Sequence, residues 1–160
     1  MVDVTEIRKK TVSATEYING LDEPFKERFL ERKRTYQLDA ETVKQLKKLE
    51  EKYMVVAFSA IWCKDCAVNI PVLALLSEET GLEVRVFGGI RKDPLSHLHK
   101  WRVPPSPPEI ESFKIDKLPS ILIIHSTGNE IGRIVETPKV QPTLEQELQD
   151  IIKTWQACAD

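Results

Sequence analysis

Two of the chain's three cysteines stand in the string Trp62-Cys63-Lys64-Asp65-Cys66. Two thiols with two residues between them can clamp a metal, trade electrons as a reversible dithiol, or lie buried and inert. The choice turns on where the pair sits. The run Tyr53–Ser59 is continuously apolar and of strand length, and apolar residues from Val68 to Leu76 support a helix behind it. The cysteines therefore fall between a strand and the first turn of a helix. There the backbone amides lack intrahelical partners and the macrodipole is positive. Both effects favour a thiolate at Cys63 over the free thiol, whose pKa is about 8.5. Cys66, one turn deeper, can swing onto a mixed disulfide. Cys63 is thus the candidate attacker and Cys66 the candidate resolver. Lys64 brings positive charge towards the thiolate and Asp65 opposes it, so their sum is left unsigned.

A structural zinc site needs about four cysteine or histidine ligands. Cys158 lies near the far end of the chain, and His97, His99 and His125 are scattered. His97 and His99 fall on an expected helix at a spacing that turns them apart. The pattern favours an electron-trading dithiol with no metal, and Cys158 reads as an incidental thiol. Trp62 is either an apolar platform beside the pair or an ordinary core aromatic.

The elements that must hold this site are legible in outline. Ser13 and Glu16 fit a capping box with Gly20 as the stop. Asp22-Glu23-Pro24 opens a second helix and Asp39 caps a third, with Val43 and Leu46 on its apolar face. After the cysteine helix comes a strand over Leu82–Phe87, and Asp93-Pro94 opens a helix through about Trp101. Pro104, Pro105, Pro107 and Pro108 mark a stiff connection, since successive prolines lack donors. Ile121–His125 and Glu130–Val135 flank a glycine-containing turn and read as a hairpin. Leu144, Leu148, Ile152 and Trp155 line the buried stripe of a closing helix. From Tyr53 the order is β-α-β-α-β-β-α, an α/β arrangement with a central mixed sheet, its first pair parallel through a right-handed crossover.

The composition is that of a globular protein, with 41% hydrophobic and 30% charged residues. A net charge of −2 argues against a general nucleic-acid binder. No apolar run approaches the roughly 18 residues of a membrane span. Residues 1–13 carry no apolar stretch of the kind that marks a secretory signal. Together these lead to the expectation of a cytoplasmic protein without membrane or nucleic-acid partners.

Taken together, the residues resemble the thioredoxin-fold thiol-disulfide oxidoreductases. Three features carry the resemblance: the strand VVAFSA running into Trp62-Cys63-x-x-Cys66, Pro71 five residues after the second cysteine, and Leu118-Pro119 before the glycine-turn hairpin. It covers residues 52–155. The run from Trp62 to Phe87 further resembles a subfamily of small bacterial and archaeal proteins with an N-terminal helical extension and a Trp-Cys-x-Asp-Cys motif. Residues 1–51 are then such an extension and residues 52–160 a thioredoxin-like domain. The resemblance implies a cis peptide bond before Pro119, and that Pro119 and its flanking backbone at Leu118 face the cysteines and pair with extended substrate. It implies catalysis by Cys63 and Cys66 without a bound cofactor. Partners would be a protein or small-molecule disulfide and an electron donor such as a thioredoxin reductase or a low-molecular-weight thiol.

The sequence departs from the family in several places. Typical members bury an aspartate under the cysteines to take the resolving thiol's proton; here the position is Ala57, so another route is needed, through water or a carboxylate elsewhere. The pair between the cysteines is Lys-Asp rather than Gly-Pro. A glycine common after the hairpin is missing near Glu136-Thr137-Pro138. The stretch from Cys66 to Pro119 is longer than usual, with residues 104–108 as the expected insertion. A glutaredoxin assignment is disfavoured by the lack of a Gly-Gly-Asp element after the hairpin. These departures keep open a second reading, a non-enzymatic adaptor with a redox switch.

Overall fold

A strand can be apolar along its whole length only if both faces are covered, and Tyr53–Phe58 (β2) is buried at every position. The computed structural model, which describes residues 1–91, 95, 101 and 106–159, places β2 at the centre of a five-stranded sheet. With β1 at Val12–Ser13, β3 at Glu83–Phe87, β4 at Ser120–His125 and β5 at Glu130–Val135, the order is β1-β3-β2-β4-β5. The β2–β3 pair is parallel, with Val55 opposite Val84; β4 lies antiparallel on the other side of β2, and β5 antiparallel to β4. This is the expected mixed sheet.

The helix that follows β2, α5 (Lys64–Thr80), is the crossover to β3. Ile70, Pro71, Val72, Leu73 and Ala74 are buried one after another, so the helix is apolar round its circumference rather than on one stripe. The reason is that it is sandwiched. One side meets the sheet, and the other is covered by helices drawn from the first third of the chain: α2 (Ala14–Asn19), α3 (Phe25–Thr35) and α4 (Ala40–Lys47) all pack against it. Pro71 stands within α5, where it supplies no amide to the helix ladder. One turn earlier, the Val68 carbonyl accepts Arg32 Nε at 3.1 Å from α3. Gly81 ends α5 at φ 82°, a left-handed position that suits glycine, and a Cβ there would collide with Glu50.

Local signals set the first-third helices as expected. Ser13 Oγ accepts the Glu16 amide at 3.1 Å, and Asp39 accepts the Thr42 amide at 3.0 Å. Near the N-terminus, two elements exceed the sequence reading. Helix α1 (Val4–Lys10), capped by Asp3, precedes the expected first helix, and β1 adds an antiparallel edge to β3. Arg85 of β3 fastens both, donating to the Thr11 carbonyl at 2.6 Å and to the Arg8 carbonyl at 3.2 Å. A two-residue strand has too short a pattern to announce itself; its partner makes it. Of the helix expected from residue 93 to 101 only residues 95 and 101 are described, and the prolines at 104 and 105 lie outside the described residues. Beyond them, a short α6 (Glu109–Ser112) leads towards β4.

The closing helix, α7 (Leu144–Ala159), begins with a fully buried carboxylate at Glu145. It accepts the Tyr36 hydroxyl at 2.7 Å and the Asp39 amide at 2.9 Å, tying the α3–α4 connection to the start of α7. Placement in the first helical turn also sets its charge against the positive end of the macrodipole. Glu145→Ala leaves both donors without their acceptor, and the unfolding free energy is expected to fall by about 1–3 kcal/mol in a denaturant titration. Glu145→Gln, which keeps an acceptor oxygen, should lose less. An alanine variant as stable as the parent would contradict this role.

Candidate functional site

Cys63 is the N-cap of α5. Its backbone is extended (φ −79°, ψ 121°), its carbonyl accepts the Ala67 amide at 3.1 Å, and its Sγ accepts the Cys66 amide at 3.2 Å. A sulfur therefore occupies the place where helices ordinarily put a serine or aspartate oxygen. The thiol is held below its ordinary value, down to about 7. The nearby Cys66 thiol is the main cause, the Cys66 and Asp65 amides add to it, and burial and the Asp65 carboxylate pull the other way. The opposing sign expected of Asp65 is thus present. Lys64 is exposed.

Cys66 is fully buried and Cys63 is 9% exposed, so a visiting disulfide meets Cys63 first. Burial pushes the Cys66 thiol up, and the neighbouring Cys63 pushes it the same way. The two cysteines are unlike in just the sense an attacker and a resolver require. Both are free thiols, as is the exposed Cys158 on α7, which stands apart from them.

The peptide bond between Leu118 and Pro119 is cis, and both residues are buried. The Leu118 carbonyl lies 3.5 Å from Cys63 Sγ and accepts from it while the thiol is protonated. The Pro119 carbonyl accepts the Glu136 amide at 2.8 Å. Trp62 is 48% exposed, which decides against a core aromatic. Its ring stacks on Trp101 at 5.8 Å and 25°, while Trp101 donates through Nε1 to the Asp116 carbonyl at 2.6 Å. With the neighbouring exposed Ile61, Trp62 gives the mouth of the site an apolar lip. Cys63, Cys66, Leu118 and Pro119 are thus brought together, with Trp62 at the rim.

Several residues at the site were not singled out from the sequence. Asn69, buried on α5, donates its side-chain amide to the Asp65 carbonyl at 2.9 Å and to the Glu136 carbonyl at 2.8 Å, joining the cysteine helix to the end of β5. Glu136 has φ 67°. It holds the left-handed backbone that glycine adopts most readily, at a cost of about 1–2 kcal/mol for an ordinary residue, and two hydrogen bonds to its backbone fix it there. The missing glycine is therefore replaced in conformation, not by a different path of the chain.

Ala57 is fully buried, opposite Val86 on one side and Ile121 on the other. Two residues on, Ser59 is also fully buried. It donates to the Tyr17 hydroxyl at 3.0 Å, and its own hydroxyl draws the Cys66 thiol downward in pKa against the larger upward push of burial. The signal that could have found it was strand alternation, which puts positions 57 and 59 on one face.

Among the described residues, no three histidine, cysteine, aspartate or glutamate side chains gather as a metal site would need. His97 and His99 lie outside those residues, and His125 packs its ring against Tyr53 and Trp155. Nor is any described helix long and apolar enough to cross a membrane. A cavity of about 590 Å³ lies elsewhere, between α1, α6 and the hairpin turn, and neither member of the cysteine pair lines it.

Comparison with known proteins bears on the fold and the family. No curated protein matches the sequence. Among solved structures, a protein of unknown function from Pseudomonas aeruginosa has a TM-score of 0.70 at 16% identity, over 99% of both chains. An HIV epitope-scaffold also reaches 0.70, at 13% identity, over 98% of this chain and 99% of the other. The fold they share with this chain includes the N-terminal helices. The reduced thioredoxin pre-protein of Schistosoma mansoni is 21% identical over 74% of this chain and 93% of its own, with a TM-score of 0.42. The family model described as thioredoxin matches residues 11–149. The chain belongs to the thioredoxin family.

Proposed function

We propose that the protein is a thiol-disulfide oxidoreductase that reduces disulfides of proteins or small molecules in the cytoplasm. The observation that carries this reading is the unlike pair itself: a capping sulfur with a lowered pKa that keeps a small opening to solvent, and a fully buried, protonated sulfur one turn behind it. The Cys63 thiolate attacks one sulfur of a substrate disulfide. That S–S bond breaks, the first substrate sulfur leaves as a thiolate and takes up a proton, and Cys63 is joined to the second. Cys66 then attacks Cys63 Sγ, and the second substrate sulfur departs as a thiol. Two electrons pass to the substrate, leaving a Cys63–Cys66 disulfide. A thioredoxin reductase or a low-molecular-weight thiol returns the two electrons.

Other parts of the site have roles in this scheme. Leu118 and Pro119 offer backbone to an extended substrate beside Cys63, and Trp62 with Ile61 offers apolar contact. A thiol near 7 is far from the roughly 3.5 of strongly oxidising Cys-x-x-Cys proteins, which favours a reductant over an oxidant.

Two outcomes follow. The rate of Cys63 carboxamidomethylation, followed by peptide mass spectrometry so that Cys158 is counted separately, should rise with pH about a midpoint near 7. The sign follows from the lowered pKa, because more thiolate is present at neutral pH than in a free cysteine; a midpoint at or above about 8.5 would contradict it. Cys63→Ser should bring the reduction of insulin disulfides by dithiothreitol down to the uncatalysed rate, and Cys66→Ser should accumulate mixed disulfides. Undiminished turnover in the Cys63 variant would overturn the roles. A stoichiometric thiol response without turnover in the parent protein would favour a redox-switched adaptor instead.

A further inference from the structure

Ala57 cannot supply the carboxylate that the family resemblance implies, and the groups that act on the Cys66 thiol are of another kind. Three polar groups converge behind the Cys66 sulfur. The Ala60 carbonyl accepts the Cys63 amide at 3.3 Å, which holds the Ser59–Ala60 turn against the pair, and the Ala60 amide and the Ser59 hydroxyl both favour the Cys66 anion. Behind Ser59 stands the Tyr17 hydroxyl, 3.0 Å from Ser59 Oγ. Ser59 is fully buried, Cys66 is fully buried and Tyr17 is 8% exposed, so the chain of hydroxyls runs through the interior.

The arrangement is held from several directions. The Ser59 amide donates to the Phe87 carbonyl at 3.0 Å, extending the β2–β3 pairing one step past the strand. The Tyr17 ring, on α2, meets Phe29 edge-on at 6.0 Å and lies over Gly88. A Cβ at position 88 would come within 2.9 Å of that ring, so the absence of a side chain there makes room for the tyrosine. Burial and the nearby cysteine sulfurs push the phenol up, so Tyr17 keeps its proton and acts as a donor at neutral pH.

We propose that Ser59, backed by Tyr17, stabilises the Cys66 sulfur as it becomes an anion during resolution of the mixed disulfide, in place of a buried acid. This rests on the dithiol reading above. Hydroxyl hydrogens rotate. While Cys66 is a thiol, Ser59 can donate to Tyr17; as negative charge grows on Cys66, Ser59 turns its O–H to the sulfur and Tyr17 donates to Ser59 Oγ. Neither hydroxyl gains or loses a proton overall. The mixed disulfide of Cys63 with a substrate sulfur, plus the Cys66 thiol, becomes the Cys63–Cys66 disulfide plus a substrate thiol. The proton given up by Cys66 ends on the departing sulfur. Such donors differ from a carboxylate in kind, because they lower the cost of the anion without accepting its proton. Ser59 acts on the reacting sulfur directly, whereas Tyr17 is a positioning residue that acts through Ser59.

The test is reaction of the reduced protein, in a Cys158→Ser background, with 5,5′-dithiobis(2-nitrobenzoate). Cys63 releases one thionitrobenzoate in a step that depends on reagent concentration, and Cys66 releases the second in a step that does not. Ser59→Ala should leave the first release within about twofold and slow the second by about tenfold or more, the size expected for a hydrogen bond to a charged group. Tyr17→Phe should slow the second release by less. The pH profile of that release should move upward by about one unit in Ser59→Ala, the equivalent of tenfold, and Ser59→Thr, which keeps a hydroxyl, should restore it. An unchanged second release in Ser59→Ala overturns the proposal, as does a slowed release whose pH profile stays in place, which would mark a packing defect. Absence of the second release from the parent protein would instead overturn the dithiol reading, and this proposal with it.

Discussion

Everything at the working end of the molecule depends on one substitution of elements: a sulfur stands where a helix cap would normally present an oxygen. The Cys63 Sγ accepts the Cys66 amide, and the unpartnered amides of the first turn of α5 then stabilise negative charge on that sulfur. The constraint is demanding because α5 must start at one residue and point one way. Its register is fixed by a fully buried strand in front, by the Gly81 turn behind, and by a coat of helices on the side away from the sheet. The first third of the chain is therefore part of the site's support, although it contributes no cysteine.

The same placement divides the labour between the thiols. A single environment could not give one sulfur a lowered pKa and the other a raised one. The helix start does so because the Cys66 thiol, helped by the Cys66 and Asp65 amides, favours the anion of the capping residue, while three residues later the side chain has turned into the packed interior. Asn69 and Glu136 extend this control to the opposite wall. They bind α5 to the end of β5, whose amide at Glu136 in turn holds the carbonyl of Pro119. The cysteine helix and the proline loop are thereby braced by hydrogen bonds to shared residues.

What the sequence discloses and what it hides follow from range. The apolar run of β2, the Ser13 and Asp39 caps, the hairpin turn and the Cys-x-x-Cys at a helix start are encoded by neighbours in the chain, and each is legible. The edge strand at Val12–Ser13 is not, because two residues carry no period and only β3 with Arg85 makes them a strand. Nor is the Trp62–Trp101 stack, which chain folding alone brings together. Ser59 and Tyr17 are 42 positions apart, so the sequence shows a missing acid at Ala57 but not what occupies the space below the thiol. Glu136 is hidden for another reason: glycine is the usual sign of a left-handed backbone, and here hydrogen bonds enforce that conformation on a glutamate.

The most direct test of the whole account is a glutathione redox titration of the Cys158→Ser protein, with the Cys63–Cys66 linkage read by mass spectrometry. An unlike pair tuned as described should behave as one reversible two-electron couple, with a potential towards the reducing end of the fold's range, about −270 mV. A pair that never closes across the titration, or one that closes only near about −120 mV, would contradict it.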